Sequence, residues 1–253
     1  MPDPLARMNR QQFRDIFTTL LPMERVEPGG CLRVLTKAAH PLGNVVITGD
    51  ETSAEELAEA IGPLCAEPVP SAVILAGGHD PELAAQLQPN GFALAETMPL
   101  MTVTPDMLNT SDMPDEYELV EVTPDQHDQW LAALVSGYEL PANLGRYFAP
   151  LGAIPKLEPG SVRYYAAEAN NEFGAVCMTW DHAGAVGVYC VATRPEHRRR
   201  GLGGHLTAES VQRAWSDGPQ LALLQSSAMG RSTYERLGFT TQGEMALFVR
   251  SPK

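Results

Sequence analysis

Positive charge is scarce in this chain. Its 18 lysines and arginines stand against 31 aspartates and glutamates, a formal net charge of −13. So acidic a chain repels polyanions at long range, which argues against nucleic acid or an anionic membrane as a partner. Cysteine is scarce too. Cys31, Cys65, Cys177 and Cys190 form no C-x-x-C pair, and no Cys/His cluster has zinc spacing, so no metal is expected. Their apolar or small-residue surroundings suit reduced, buried thiols. No apolar run is long enough to span a bilayer. The stretch "MPDPLARMNRQQF" lacks the apolar core of a secretion signal, and a cytoplasmic protein is expected. Two nucleotide signatures are missing as well. No glycine-rich loop ends in Gly-Lys-Ser/Thr, and no G-x-G-x-x-G follows the first strand of a βαβ unit.

What is present supports an ordered fold. At 253 residues and 44% hydrophobic, the chain can bury a core as one large domain or two ordinary ones. "MNRQQFRDIFTTLL" puts Phe13, Ile16, Phe17 and Leu20 on one helical face. "CLRVLT" and "NVVITG" read as strands around a turn, "KAAHPLG". Ser53 and Glu56 form a capping-box pattern ahead of Leu57, Ile61 and Leu64. "SAVILAG" reads as a buried strand. "DPELAAQL" is a helix with Asp80 as N-cap and Pro81 at N1, and "FALAETMPLMTV" is extended.

The polar, proline-containing "TPDMLNTSDMPDE" is the best linker. It divides the chain into residues 1–105, a connection at 106–115, and residues 116–253. After it come the strand "YELVEV", a capped helix from Thr123 that carries Trp130, Leu131, Leu134 and Val135, and an irregular region to about residue 160. Three strands follow: "SVRYYAAEA", "EFGAVCMTW" and "GAVGVYCVA". Then come a glycine-rich loop, a helix through Trp215, the strand "LALLQ", the helix "GRSTYERLG" and the strand "GEMALFVR". Residues 90–101, "NGFALAETMPLM", align without a gap on residues 237–248, "LGFTTQGEMALF". In each, Gly is the natural helix C′ residue and Phe packs back on the last turn.

The scarce positive charge is concentrated in "TRPEHRRRGLGGHL", which holds four arginines and three glycines. Glycines let backbone amides approach a ligand, a helix N-terminus adds unpaired donors, and arginines add full charges. Those are the requirements of a pyrophosphate site. By itself Arg198-x-x-Gly201-x-Gly203 reads more readily as a solvated turn.

Together with "LALLQSSAMGRSTYERLGF", the second half resembles the GNAT superfamily of acyl-CoA-dependent N-acyltransferases over roughly residues 116–253. The resemblance implies the acyl-CoA N-acyltransferase fold, an α/β (α+β) architecture with a mixed, mostly antiparallel sheet flanked by helices. It implies acetyl-CoA as co-substrate. The loop Arg198, Arg199, Arg200, Gly201, Leu202, Gly203 and Gly204 would hold the coenzyme pyrophosphate. The strand residues Cys190, Val191, Ala192 and Thr193 would pair with the pantetheine arm, and Tyr234 would protonate the departing thiolate. A coenzyme-contacting Asn of the family is replaced here by Ser227. The first half then reads as a degenerate GNAT-like unit in a tandem pseudo-repeat. It lacks the loop and has Leu87 where the second half has Tyr234, so it would shape the substrate cleft or a dimer contact.

The implied reaction is direct attack by a primary amine of a small molecule, amino acid or peptide on the acetyl thioester, with a strand amide near Val191 stabilising the oxyanion. The base is open: Glu139, Glu168, Glu172, Asp181 or a water chain. Cys190 has no His/Asp partner in the sequence and reads as a buried thiol. His197 and His205 read as surface or capping residues. The competing class is a non-catalytic acyl-CoA-binding sensor or interaction module.

Overall fold

The computed structural model describes residues 3–20, 25–110, 112–145, 160–216 and 218–251. Of the irregular region around residues 137–160, which is expected to face the substrate, residues 146–159 lie outside the described residues.

Helix α1 spans Pro4–Asp15 and starts four residues before the expected Met8. The reason is local: Asp3 Oδ1 accepts from Leu5 N at 2.8 Å and Ala6 N at 3.2 Å, with Pro4 in the first turn. The chain then loosens into a π-turn, Ile16–Leu20, which shifts the helical phase. Phe17 and Leu20 are buried, while Phe13 and Ile16 stay half-exposed. Strands β1 (Arg25–Val26), β2 (Leu32–Leu35) and β3 (Asn44–Ile47) lead to α2 (Ala54–Ala66). Both bonds of its capping box are made, Glu56 N to Ser53 Oγ at 3.2 Å and Ser53 N to Glu56 Oε2 at 2.8 Å. Next come β4 (Ser71–Leu75), α3 (Pro81–Leu87), capped by Asp80 as expected, and β5 (Ala93–Val103). The second half runs β6 (Glu118–Glu121), α4 (His127–Tyr138), α5 (Ala142–Gly145), β7 (Val162–Ala169), β8 (Glu172–His182) and β9 (Ala185–Thr193). It closes with α6 (Leu202–Trp215), β10 (Ala222–Gln225), α7 (Arg231–Arg236) and β11 (Thr240–Arg250).

Two compact units result. The first comprises Met1–Leu100, Ser226–Met229 and Thr241–Lys253; the second comprises Met101–Gln225 and Gly230–Thr240. In the first, β1, β2 and β3 pair antiparallel, β3 and β4 pair parallel, and β4 pairs antiparallel with β11 from Leu75↔Ala246 to Ser71↔Arg250. Its core joins Val46, Leu57, Ile61, Leu64, Val73 and Phe92 to Ala246 and Phe248. In the second, β6 to β9 form an antiparallel meander and β10 runs parallel to β9. Helices α4 and α6 pack on β8 and β9. Met101 and Val103, the end of β5, share a core with Ala222, Leu224, Trp215 and Phe239. Each unit therefore takes a closing strand from the other half of the chain. Each parallel pair is bridged by a helix, as parallel connection requires.

The aligned Gly-Phe corners have the same geometry. Gly91 and Gly238 are left-handed at φ 82° and 91°. Phe92 N donates to Leu87 O at 3.2 Å, and Phe239 N donates to Tyr234 O at 3.0 Å, the same six-residue closure.

Candidate functional site

The loop before α6 is built for close approach. A 3-10 turn, Pro195–His197, carries the chain off β9. Arg199 (φ 64°) and Gly201 (φ 79°) are left-handed on either side of Arg200, an alternation that points backbone amides into a concavity. Gly201 is the N-cap of α6 and, among the described residues, no side chain caps the helix, so the amides of its first turn keep their donor capacity and the positive end of the helix dipole. Val191 Cγ1 lies 3.4 Å from where a Cβ on Gly203 would stand, and Thr233 Cγ2 lies 3.2 Å from where one on Gly204 would stand. The glycines thus seat this end of α6 against β9 and α7.

The three arginines of the loop are placed differently from one another. Arg198 Nη2 donates to Gly137 O at 2.9 Å and Glu139 Oε1 at 3.2 Å, and its Nε donates to Thr193 O at 3.3 Å. Its guanidinium ties the C-terminus of α4 to the end of β9. Arg200 pairs with Glu116 at 3.1 Å beside the Tyr117 ring, and Arg199 is exposed.

Strand β9 carries a feature that no glycine announces in the sequence. Val176 pairs with Ala192 and Met178 with Tyr189, so Cys190 and Val191 together face Cys177. This is a β-bulge, and Cys190 sits at φ 56°. A bulge re-aims amides that would otherwise serve the ladder, and it does so at the residues expected to meet the pantetheine arm. The ladder between β9 and β10 comprises Val186↔Ala222 and Gly187↔Leu223, while β9 runs on to Thr193. Gly137 packs directly on this segment: a Cβ there would stand 2.9 Å from Thr193 N and from Ala192 Cβ.

Tyr234 is half-buried against the core containing Val186, Val188 and Ala208, with Phe239 edge-on to its ring at 6.0 Å. Burial, helped by the nearby Cys177, raises its phenol above the ordinary value, although a hydrogen bond with Thr207 opposes the shift. The phenol is a proton donor at neutral pH. Burial pushes the Cys190 and Cys177 thiols up to about 12, so neither is a thiolate nucleophile near pH 7.

Of the acids considered as a base, Glu139 is ion-paired with Arg198 and 72% exposed, and Glu172 pairs with Arg194 at 3.3 Å. Glu168 stands opposite Glu118, and Asp181 is exposed opposite Val186. His205 is half-buried in the first turn of α6. His197, expected as a surface or capping residue, is half-buried: its Nδ1 lies 2.6 Å from Tyr117 Oη, and a Cβ on Gly174 would stand 2.9 Å from its ring. Glu172, Glu196 and His197 could converge on one ion, but Arg194 already bridges the two carboxylates. Ser227 falls in the first compact unit, whereas the loop and Tyr234 belong to the second.

Residues 160–241 match the family model described as an acetyltransferase (GNAT) domain, so this part of the chain is a GNAT acetyltransferase domain. A comparison with curated protein sequences returns no match. Among solved structures, a GCN5-related N-acetyltransferase of Kribbella flavida superposes with a TM-score of 0.69 at 20% identity, over 99% of this chain and 96% of that one. A GCN5-related N-acetyltransferase of Sphaerobacter thermophilus gives 0.65 at 13% identity, over 88% and 77%. A tandem GNAT protein from the clavulanic acid biosynthesis pathway gives 0.56 at 14% identity, over 83% and 75%. These likenesses establish the acyltransferase fold. Among the described residues, no helix is long and apolar enough to cross a membrane.

Proposed function

We propose that this protein transfers an acetyl group from acetyl-CoA to a primary amine of a small molecule, amino acid or peptide. The observation that carries the reading is one grouping within the second unit: an uncapped, glycine-rich start of α6, a bulge on the neighbouring β9, and a protonated phenol on α7. The pyrophosphate of the coenzyme accepts from the amides of residues 201–204, with Arg199 adding charge. The pantetheine arm extends along Val191–Thr193. The Val191 amide, turned by the bulge, donates to the oxyanion that forms when the amine attacks the thioester carbonyl. As the C–S bond breaks, Tyr234 donates its proton to the sulfur. Before attack, the ammonium of the incoming amine loses one proton to water or a carboxylate, since β9 has no acid of its own; the second proton leaves the nitrogen as the tetrahedral adduct collapses and, through solvent, restores the Tyr234 phenol.

A panel of amines is offered with acetyl-CoA, and free coenzyme A is followed with a thiol reagent. Amine-dependent release supports the proposal. Tight acetyl-CoA binding with no turnover on any amine would replace it with an acyl-CoA sensor.

A further inference from the structure

A cavity of about 260 Å³ in the first unit has no part in this chemistry. It opens at the C-terminal ends of the parallel strands β3 and β4, where ligands commonly sit in α/β sheets. One wall is α1, which contributes Arg7, Arg10, Gln11 and Arg14, residues that share a face at helical spacing. Among the described residues, Asp50 is the one carboxylate in the lining, against three guanidinium groups. Arg10 and Arg14 are only 10% and 16% exposed, so these charges are held in place by their surroundings. Arg10 Nε meets Asp50 Oδ1 at 2.8 Å, and Arg7 reaches the other oxygen at 3.7 Å. Arg14 Nη2 pairs in turn with the half-exposed Glu27 at 3.4 Å, so three guanidinium groups meet two carboxylates, and in a chain of net charge −13 the remaining local positive charge, at Arg7, favours an anionic ligand.

We propose that this cavity binds the oxyanion group, carboxylate or phosphate, of a small molecule distinct from the coenzyme. Arginine forks suit such a group, and the volume lies just below the range of about 300–1,000 Å³ usual for ligand sites. The strand-to-helix loop of this unit does not repeat the coenzyme loop. It has no arginine, and the start of α2 is closed by its own Ser53 and Glu56. The positive charge comes instead from α1.

The test is calorimetric titration of the full chain with inorganic phosphate and, separately, with succinate, each in the presence and absence of saturating coenzyme A. The coenzyme occupies the pyrophosphate loop, so heat that persists in its presence reports the cavity. Asp50→Asn removes the competing carboxylate and should tighten binding. Arg7→Gln, at a 75% exposed side chain that is safe for folding, should weaken it by about tenfold. Phosphate binding alone assigns a phosphate ligand, and succinate binding alone assigns a carboxylate. No persistent heat with either probe, or binding unchanged in both variants, overturns the proposal.

Discussion

Replacing Gly137 by alanine sets two known effects against each other. Alanine is favoured over glycine inside a helix by up to about 1 kcal/mol, and less near a terminus, where Gly137 sits in α4. Against this, the new Cβ would stand 2.9 Å from Thr193 N and Ala192 Cβ, about half an ångström inside ordinary contact. Overpacking of this kind costs about 1–3 kcal/mol, because strand backbone must move rather than a flexible side-chain tip. The steric effect wins, and a net loss of roughly 0.5–2.5 kcal/mol is expected. The displaced segment is also the one proposed to carry the pantetheine arm, so the KM for acetyl-CoA should rise on the order of tenfold. Ala132→Gly, at an exposed position of the same helix, is the control: it should lose up to about 1 kcal/mol through propensity and leave KM alone. Chemical denaturation and initial-rate kinetics read both quantities. A Gly137→Ala protein more stable than wild type, with unchanged KM, would refute the reasoning.

Three other outcomes are expected. Tyr234→Phe should lower kcat by about 100-fold with little change in the KM for acetyl-CoA, since the lost hydroxyl acts on the departing sulfur. Arg250 donates to Leu64 O, Cys65 O and Glu67 O at 2.8–3.2 Å and to Ser71 Oγ at 3.0 Å, so it caps the end of α2 from the last strand; Arg250→Leu should cost about 2–3 kcal/mol in denaturation. Cys177 and Cys190 have thiols raised from 9.0 to about 12 in the folded state; their contribution to stability is complete below pH 9 and lost as pH climbs towards 12. Cys190→Ala should shallow the fall of Tm over that window.

Much of the fold could be read from short-range chemistry. The capping box of α2, the Asp80 cap and the two Gly-Phe corners are decided by residues within six positions of one another, and each is formed as expected. The early start of α1 was also readable, because Asp3-Pro4 repeats the Asp80-Pro81 signal. Longer-range features were hidden. Strand pairing is chosen by partners far away in sequence, so the exchange that sends β11 to β4 leaves no local mark. The bulge falls on Cys190 and Val191, where no glycine signals a left-handed residue. The Tyr117–His197 contact joins positions 80 residues apart. In the site, the loop was legible by composition, but the inward use of Arg198 depends on Gly137 and Glu139, which no motif names.

The central claim is a single coenzyme site at the start of α6, and it can be measured directly. Calorimetric titration with acetyl-CoA should give one molecule bound per chain. Gly201→Val, which forces a β-branched residue to φ 79° and spoils the amide concavity, should abolish that binding while the circular dichroism spectrum stays that of the folded chain. Absence of binding to the wild-type chain, two equivalents bound, or undiminished affinity in the variant would contradict the account.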